Sequence, residues 1–163
     1  MSDIRSGINP LQVDPSTAPI LPAGTECEDP RGGVFTGNTI KYAQATGTIA
    51  AGDAVRIDFA ATAANRRFSV VSTTAVTNIF EGYALAAATA NQFLWIVTKG
   101  FAGSVKVLNA GVAGSVLAAS ATAGTLTLSP SAAVADAIIV AGGRRAFALT
   151  TPSGNIGDVL IGG

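Results

Sequence analysis

At 163 residues the chain is long enough for one ordinary domain, alone or with an arm. Its residues are 48% hydrophobic and only 12% charged, with a net charge of zero. That balance excludes intrinsic disorder and leaves no global field to draw nucleic acid or an anionic membrane. A surface with so few charges is expected to be covered by a partner, so composition favours an oligomer or assembly component. There is no histidine, and Cys27 is the single cysteine. The commonest general base and metal ligand is therefore missing, no intrachain disulfide is possible, and folding in a reducing cytosol is expected.

Residues 1–33 hold five of the seven prolines, Pro10, Pro15, Pro19, Pro22 and Pro30. Proline at this spacing removes backbone donors and biases each preceding residue toward extended geometry, so neither a helix nor a central strand is expected there. The segment reads as an extended arm or a free tail. Its apolar residues Ile4, Ile8, Leu11, Val13, Ile20 and Leu21 favour an arm that docks on a surface. Five acids against two bases in residues 1–31 mark this stretch as different from the rest. It has no basic start followed by an apolar core, so no secretory signal is expected.

From residue 34 to 163 the pattern changes to short β-like runs separated by glycine and small polar residues. "AVRIDFA" alternates, with Val55, Ile57 and Phe59 expected on one face and Arg56 and Asp58 on the other. "RFSVVS", "NIFEGYAL", "QFLWIVTK", "GSVKVLN", "GTLTLS", "AIIVA", "RAFAL" and "DVLIGG" follow. About ten strands of this kind predict an all-β barrel or sandwich. "SAAVADA", Ser131 to Ala137, is expected to form a helical turn capped by its serine.

"GYALAAATANQFLWIV" (Gly82–Val97) has a fainter copy in "AFALTTPSGNIGDVLI" (Ala146–Ile161). Tyr83 falls on Phe147, Leu85 on Leu149 and Asn91 on Asn155, with Trp95, Ile96 and Val97 on Val159, Leu160 and Ile161. The second copy carries Pro152 and Gly154, which is turn chemistry, so the alanine-rich middle of the first is expected to be a loop between strands. Asn91 and Gln92 also break it as a membrane span. "GTIAAGDAV" (Gly47–Val55) likewise resembles "NAGVAGSVL" (Asn109–Leu117). The two correspondences, in the same order, predict an internally duplicated β unit.

Reactive constellations are sparse. Ser104 and Lys106 lie two apart, as on an ordinary solvent face. Cys27 sits among Glu26, Glu28 and Asp29, whose charge disfavours a thiolate. Asp53 and Asp58 read as a turn residue and a strand's polar side. No metal spacing or phosphate loop is present, so no enzyme activity and no cofactor are expected. Trp95 and Tyr83, the aromatic candidates for a sugar platform, lie in apolar strand runs that read as core. Two diarginines, Arg66-Arg67 and Arg144-Arg145, each precede an apolar strand. Neighbours in a strand point to opposite faces, so neither pair forms a two-charge patch, and subunit-interface or plain surface positions are expected.

"GTIAAGDAVRID", "FEGYALAAATANQFLWIVTKGFAGSVKV", "AGVAGSVLAASATAGTLTLSP" and "RRAFALTTPSGNIGDVLIGG" together resemble the bacteriophage capsid decoration, or cement, proteins over about residues 47–163. In the second "G.AL" element Ala146 stands where that family usually has glycine. The resemblance implies a small β-barrel or β-tulip-like domain at 34–163 behind the arm at 1–33. It also implies a homotrimeric structural protein on the exterior of an icosahedral virion, made in the host cytoplasm. Its partners would be the major capsid protein and other copies of itself, with neither nucleic acid nor membrane. The capsid or subunit interface is expected at the six arm residues and at Arg66, Arg67, Arg144 and Arg145. The alternative reading is a phage fibre, spike or tail component, or a carbohydrate-binding β module.

Overall fold

The computed structural model describes residues 8–14, 19–61, 69–75, 78–108, 112–129 and 144–162. The described residues form ten strands, one short 3-10 turn at Gly33–Phe35 and no α-helix, as the sequence leads one to expect. The strands are β1 Glu26–Glu28, β2 Thr39–Ala45, β3 Ala54–Ile57, β4 Ser69–Ser72, β5 Phe80–Ala84, β6 Phe93–Lys106, β7 Val116–Ala119, β8 Leu126–Leu128, β9 Arg145–Ala148 and β10 Ile156–Gly162. The predicted turn at 131–137, the "AIIVA" run, Ile4, Arg66 and Arg67 lie outside the described residues.

Five strands close a barrel in the order β2–β4–β3–β5–β6, with β6 returning to β2. The β2–β4 contact is parallel, through Gln44↔Ser69 and Ala45↔Val70, and the other four are antiparallel. Ala43, Ala45, Ile49, Val55, Val70, Ala84, Leu94 and Ile96 fill the interior. Small residues at the strand crossings let the ring close tightly, which is how a barrel removes its exposed edges.

The strand β6 is fourteen residues long and outlasts this barrel. Its C-terminal part pairs with β10, which pairs with β9, then β7, then β8. A parallel bridge, Val107↔Leu126, and a 2.8 Å bond from the Leu108 N–H to the Leu126 carbonyl bring β8 back to β6. A second five-membered ring thus follows the first, sharing β6.

The two rings are copies. The register pairs Ala54↔Tyr83 and Val55↔Gly82 in the first, Val116↔Phe147 and Leu117↔Ala146 in the second. Gly52 donates to Ala84 (2.9 Å) as Gly114 does to Ala148 (2.7 Å), and both glycines sit at positive φ, 77° and 88°. Ala84 donates to the Asp53 carbonyl and Ala148 to that of Ser115, both at 2.9 Å. The parallel closures match as well, Ala45↔Val70 with Val107↔Leu126. The duplication predicted from sequence is present, with one correction. Ala84 faces Ile96 while Ala148 faces Val159, so Ile96 corresponds to Val159, Val97 to Leu160 and Trp95 to Asp158. The loop before β10 is one residue shorter than the loop before β6, which shifts the alignment by one.

Other expectations also change. "QFLWIVTK" and "GSVKVLN" are not two strands, because β6 runs through Gly100, at φ 97°, and simply changes partners. β1, β2 and β7 are absent from the runs that the sequence marks as strands. Phe59 does not join Val55 and Ile57, since β3 ends at Ile57 and Phe59 is 55% exposed. Asp58 turns the chain there, accepting from the Ala60 N–H at 2.9 Å and from the Thr46 hydroxyl at 2.5 Å.

Candidate functional site

Among the described residues, no cleft gathers reactive side chains. What the fold positions are the N-terminal segment, the junction of the two rings and the outer face of the second ring. The described parts of residues 1–33 lie on the first barrel. Asp14 bonds Phe93 in both directions at 2.9 Å, and its carboxylate accepts from the Gln12 side-chain amide at 2.7 Å and from the Tyr42 hydroxyl. Burial pushes the Tyr42 hydroxyl well above its ordinary pKa, and the bond to Asp14 and its negative charge push the same way. β1 extends the sheet along β2, with Cys27 opposite Ile40 and half-buried against the core.

The five described arm residues separate. Ile8 and Leu21 pack against the larger core cluster and Val13 against the first barrel's interior cluster. Leu11 and Ile20, at 57% and 47% exposure, face outward. The described part of the segment is therefore a strap on its own barrel, and it presents the large aliphatic side chains of Leu11 and Ile20. Nearby, Arg31 pairs with Asp29 at 2.5 Å and lies 3.9 Å over the ring of Phe35.

Charged groups hold the rings together. Asp53, read as a turn residue, accepts from the Ala50 N–H and the Ser72 hydroxyl, both at 2.9 Å. Its other oxygen meets the Lys106 ammonium of the second ring at 2.5 Å. Gly124, also of the second ring, leaves no room for a Cβ against this carboxylate. Backbone bonds from Lys106 to Gly52 (3.0 Å) and from Ala54 to Gly124 (2.7 Å) run alongside. A second clamp forms at buried Glu81, which takes Lys41 at 2.9 Å and has Arg144 at 3.9 Å. The Arg144 N–H also donates to Phe80 at 3.1 Å. Arg144 thus faces the first barrel and Arg145 faces solvent, the opposite-face split that a strand imposes. Ser104 and Lys106 do not share a face, because Ser104 takes φ 55° and gives its N–H to Asp158 while Lys106 reaches Asp53.

Trp95 and Tyr83 have no exposed surface. The Trp95 indole N–H and the Tyr83 hydroxyl are buried without a hydrogen-bond partner, and burial raises the Tyr83 pKa. Neither offers a face on which a sugar can stack. A cavity of about 220 Å³ lies at the junction, lined by Arg31, Phe35, Tyr83, Val97, Phe101 and Ser104 among others. Among the described residues, no three or more Cys, Asp or Glu side chains converge as metal ligands.

Around the second ring the outer side of β10 carries Ile156 and Leu160, 51% and 42% exposed, while Val159 and Ile161 point inward. Leu149 adds a 43% exposed side chain beside them. Half-buried Phe147 and Phe101 stand opposite Leu160 on the two neighbouring strands. The sequence reading did not single out Asp14, Tyr42 or Glu81, nor this face, and it read Lys106 as a solvent-face residue. The face has a signal, the alternation of β10, but it emerges only once the one-residue shift between the copies is known. No family model matches this sequence, and no curated protein matches it significantly.

Proposed function

We propose that the chain is a structural virion protein that binds the outer surface of an icosahedral phage capsid and cements neighbouring capsomers, acting as a small oligomer, on present reading a trimer. The observation that carries this reading is the division of labour among its side chains. Asp14, Asp53 and Glu81 bind the strap and the two rings into one body, while Leu11, Ile20, Ile156 and Leu160 face outward. A body built this way offers apolar contact area with few charges to desolvate, as an assembly interface requires. The sequence resemblance to capsid decoration proteins points the same way.

Cementing acts through mass action. A protein that binds only the closed, expanded shell stabilises that state, and many modest contacts add up because each oligomer spans several subunits. On this reading Leu11 and Ile20 of the strap touch the shell.

The test is stoichiometry. Particles from infected cells are separated on a density gradient and copies of the chain are counted against the major shell subunit. A fixed simple ratio across the lattice supports cementing. A few copies per particle indicate a fibre or tail part, and none at all rules out the virion reading.

A further inference from the structure

The strap that exposes Leu11 and Ile20 is itself poorly buried. Among residues 8–14 and 19–28, only Pro10 and Asp14 are buried. Packing therefore contributes modestly to where the outward side chains stand, and hydrogen bonds must set their position.

Those bonds converge on one residue of the barrel. Leu11 sits in a turn closed by the Gln12 N–H on the Asn9 carbonyl at 3.0 Å, with its own N–H on the Asn9 side-chain oxygen at 3.1 Å. From that turn the Gln12 side-chain amide reaches one Asp14 carboxylate oxygen at 2.7 Å, and the other accepts from the Tyr42 hydroxyl. The Ile20 backbone is a further hydrogen-bonding neighbour of that hydroxyl. Beyond Ile20 comes a second turn, with the Thr25 N–H on the Pro22 carbonyl at 3.2 Å. It is tied to the backbone of the same barrel residue. Gly24 donates to the Tyr42 carbonyl at 2.7 Å, and the Tyr42 N–H donates to the Thr25 carbonyl at 2.8 Å. The Tyr42 ring is fully buried, stacked on Phe93 at 5.4 Å and tilted against Trp95 at 5.1 Å.

We propose that Tyr42 is the positioning residue of the strap: its hydroxyl, through Asp14 and Gln12, fixes the turn that presents Leu11, and the same residue holds the chain on either side of Ile20. This rests on the reading of Leu11 and Ile20 as shell contacts. Ring and hydroxyl have separate roles. The ring belongs to the core, whereas the hydroxyl serves the strap. A hydrogen bond to a carboxylate is stronger than one between neutral groups, and its loss leaves buried Asp14 less compensated. Side chains held in place before contact cost less to order on binding, so the hydroxyl acts on affinity without touching the partner.

Residue-resolved hydrogen exchange of the full chain tests this with Tyr42→Phe, which keeps the ring and the backbone bonds. The Gln12 and Asp14 amides are expected to exchange about 10-fold faster or more, while those of Gly24 and of β5 stay unchanged. No change at Gln12 and Asp14, or an equal acceleration in β5, overturns the proposal. Gln12→Ala, a change on the strap alone, gives a second reading free of any effect on the core. It breaks the link between the turn and Asp14, so the amide at position 12 is expected to exchange faster while Asp14 keeps its bond to Tyr42. An unchanged amide at position 12 also overturns the proposal. On expanded shells purified without the chain, Tyr42→Phe is expected to bind about 10-fold more weakly than the wild type. A loosened strap with undiminished binding overturns the positioning role. A wild type that binds no shell defeats the cement reading alone, and the exchange rates still decide what holds the strap.

Discussion

The two rings share one plan of pairing and differ in what lies outside it. In the first, Trp95, Val97, Tyr83 and Phe93 are buried outside the barrel wall, so β6 is apolar on both faces. In the second, the equivalent strand β10 keeps an apolar interior but carries Asp158 where the first has Trp95, and leaves Leu160 exposed where Val97 is buried. The difference teaches that a duplicated fold is held by turns and register, here Gly52 with Gly114 and the matching hydrogen bonds, while outer faces are free to diverge. One copy became the interior of the molecule and the other its surface.

The comparison breaks most severely at Trp95. Trp95→Ala is expected to cost about 3–5 kcal/mol by opening a cavity, whereas Asp158→Ala in the second ring should change stability by about 1 kcal/mol or less. Urea unfolding followed by circular dichroism measures both. Equal losses would mean that the outer faces do not differ as described.

The next largest effect is expected at the junction. Asp53→Ala removes the Lys106 ion pair and strands the Ser72 hydroxyl and the Ala50 N–H, at a cost of about 2–3 kcal/mol. The counterpart Ser115, whose hydroxyl accepts from Val112 at 3.2 Å, should lose only about 0.5–1 kcal/mol on change to Ala. Chemical denaturation resolves the two. An Asp53→Ala loss no larger than that of Ser115→Ala would remove the clamp from the account.

The two tyrosines sharpen the same contrast through pH. Both Tyr42 and Tyr83 belong to the first barrel, and both hydroxyls are held above their ordinary pKa, Tyr42 by burial and Asp14, Tyr83 by burial. A raised folded-state pKa favours the neutral form, so this stability is fully present below about pH 10 and is lost as pH rises beyond it. Tyrosinate absorbance should therefore appear only with loss of structure, and Tyr42→Phe should soften the alkaline decline. Tyrosinate forming while the barrel's circular dichroism stays intact would contradict the burial of these groups.

The smallest effect is expected on the exposed face, where Leu160→Ala should cost under about 1 kcal/mol against about 2 for Val97→Ala, measured in dilute monomeric chain.

Much of this architecture is legible in the sequence because glycine turns and alternating strands are local signals. The paired "GYAL" and "AFAL" runs reveal the duplication, and Pro152 in one copy identifies the alanine-rich stretch of the other as a loop. β2 is harder to see. Ile40 and Tyr42 alternate, but Ala43 and Ala45 are small residues in the barrel interior and blur the period. In β7, "VLAA" is likewise mostly small. The strap shows the limit of sequence reading. Proline spacing argues against a helix there, yet nothing local tells that Asp14 will meet Tyr42, or that Ile8 and Leu21 turn inward while Leu11 and Ile20 turn out. Those outcomes depend on contacts between distant segments.

Hydroxyl-radical footprinting of the chain, free and bound to expanded shells, tests the central claim most directly. The account predicts that Leu11 and Ile20 react readily in the free chain and are protected on particles, while buried Val97 and Trp95 stay unreactive in both. Unchanged reactivity at Leu11 and Ile20 on particles would contradict the assignment of the strap as the shell-binding element.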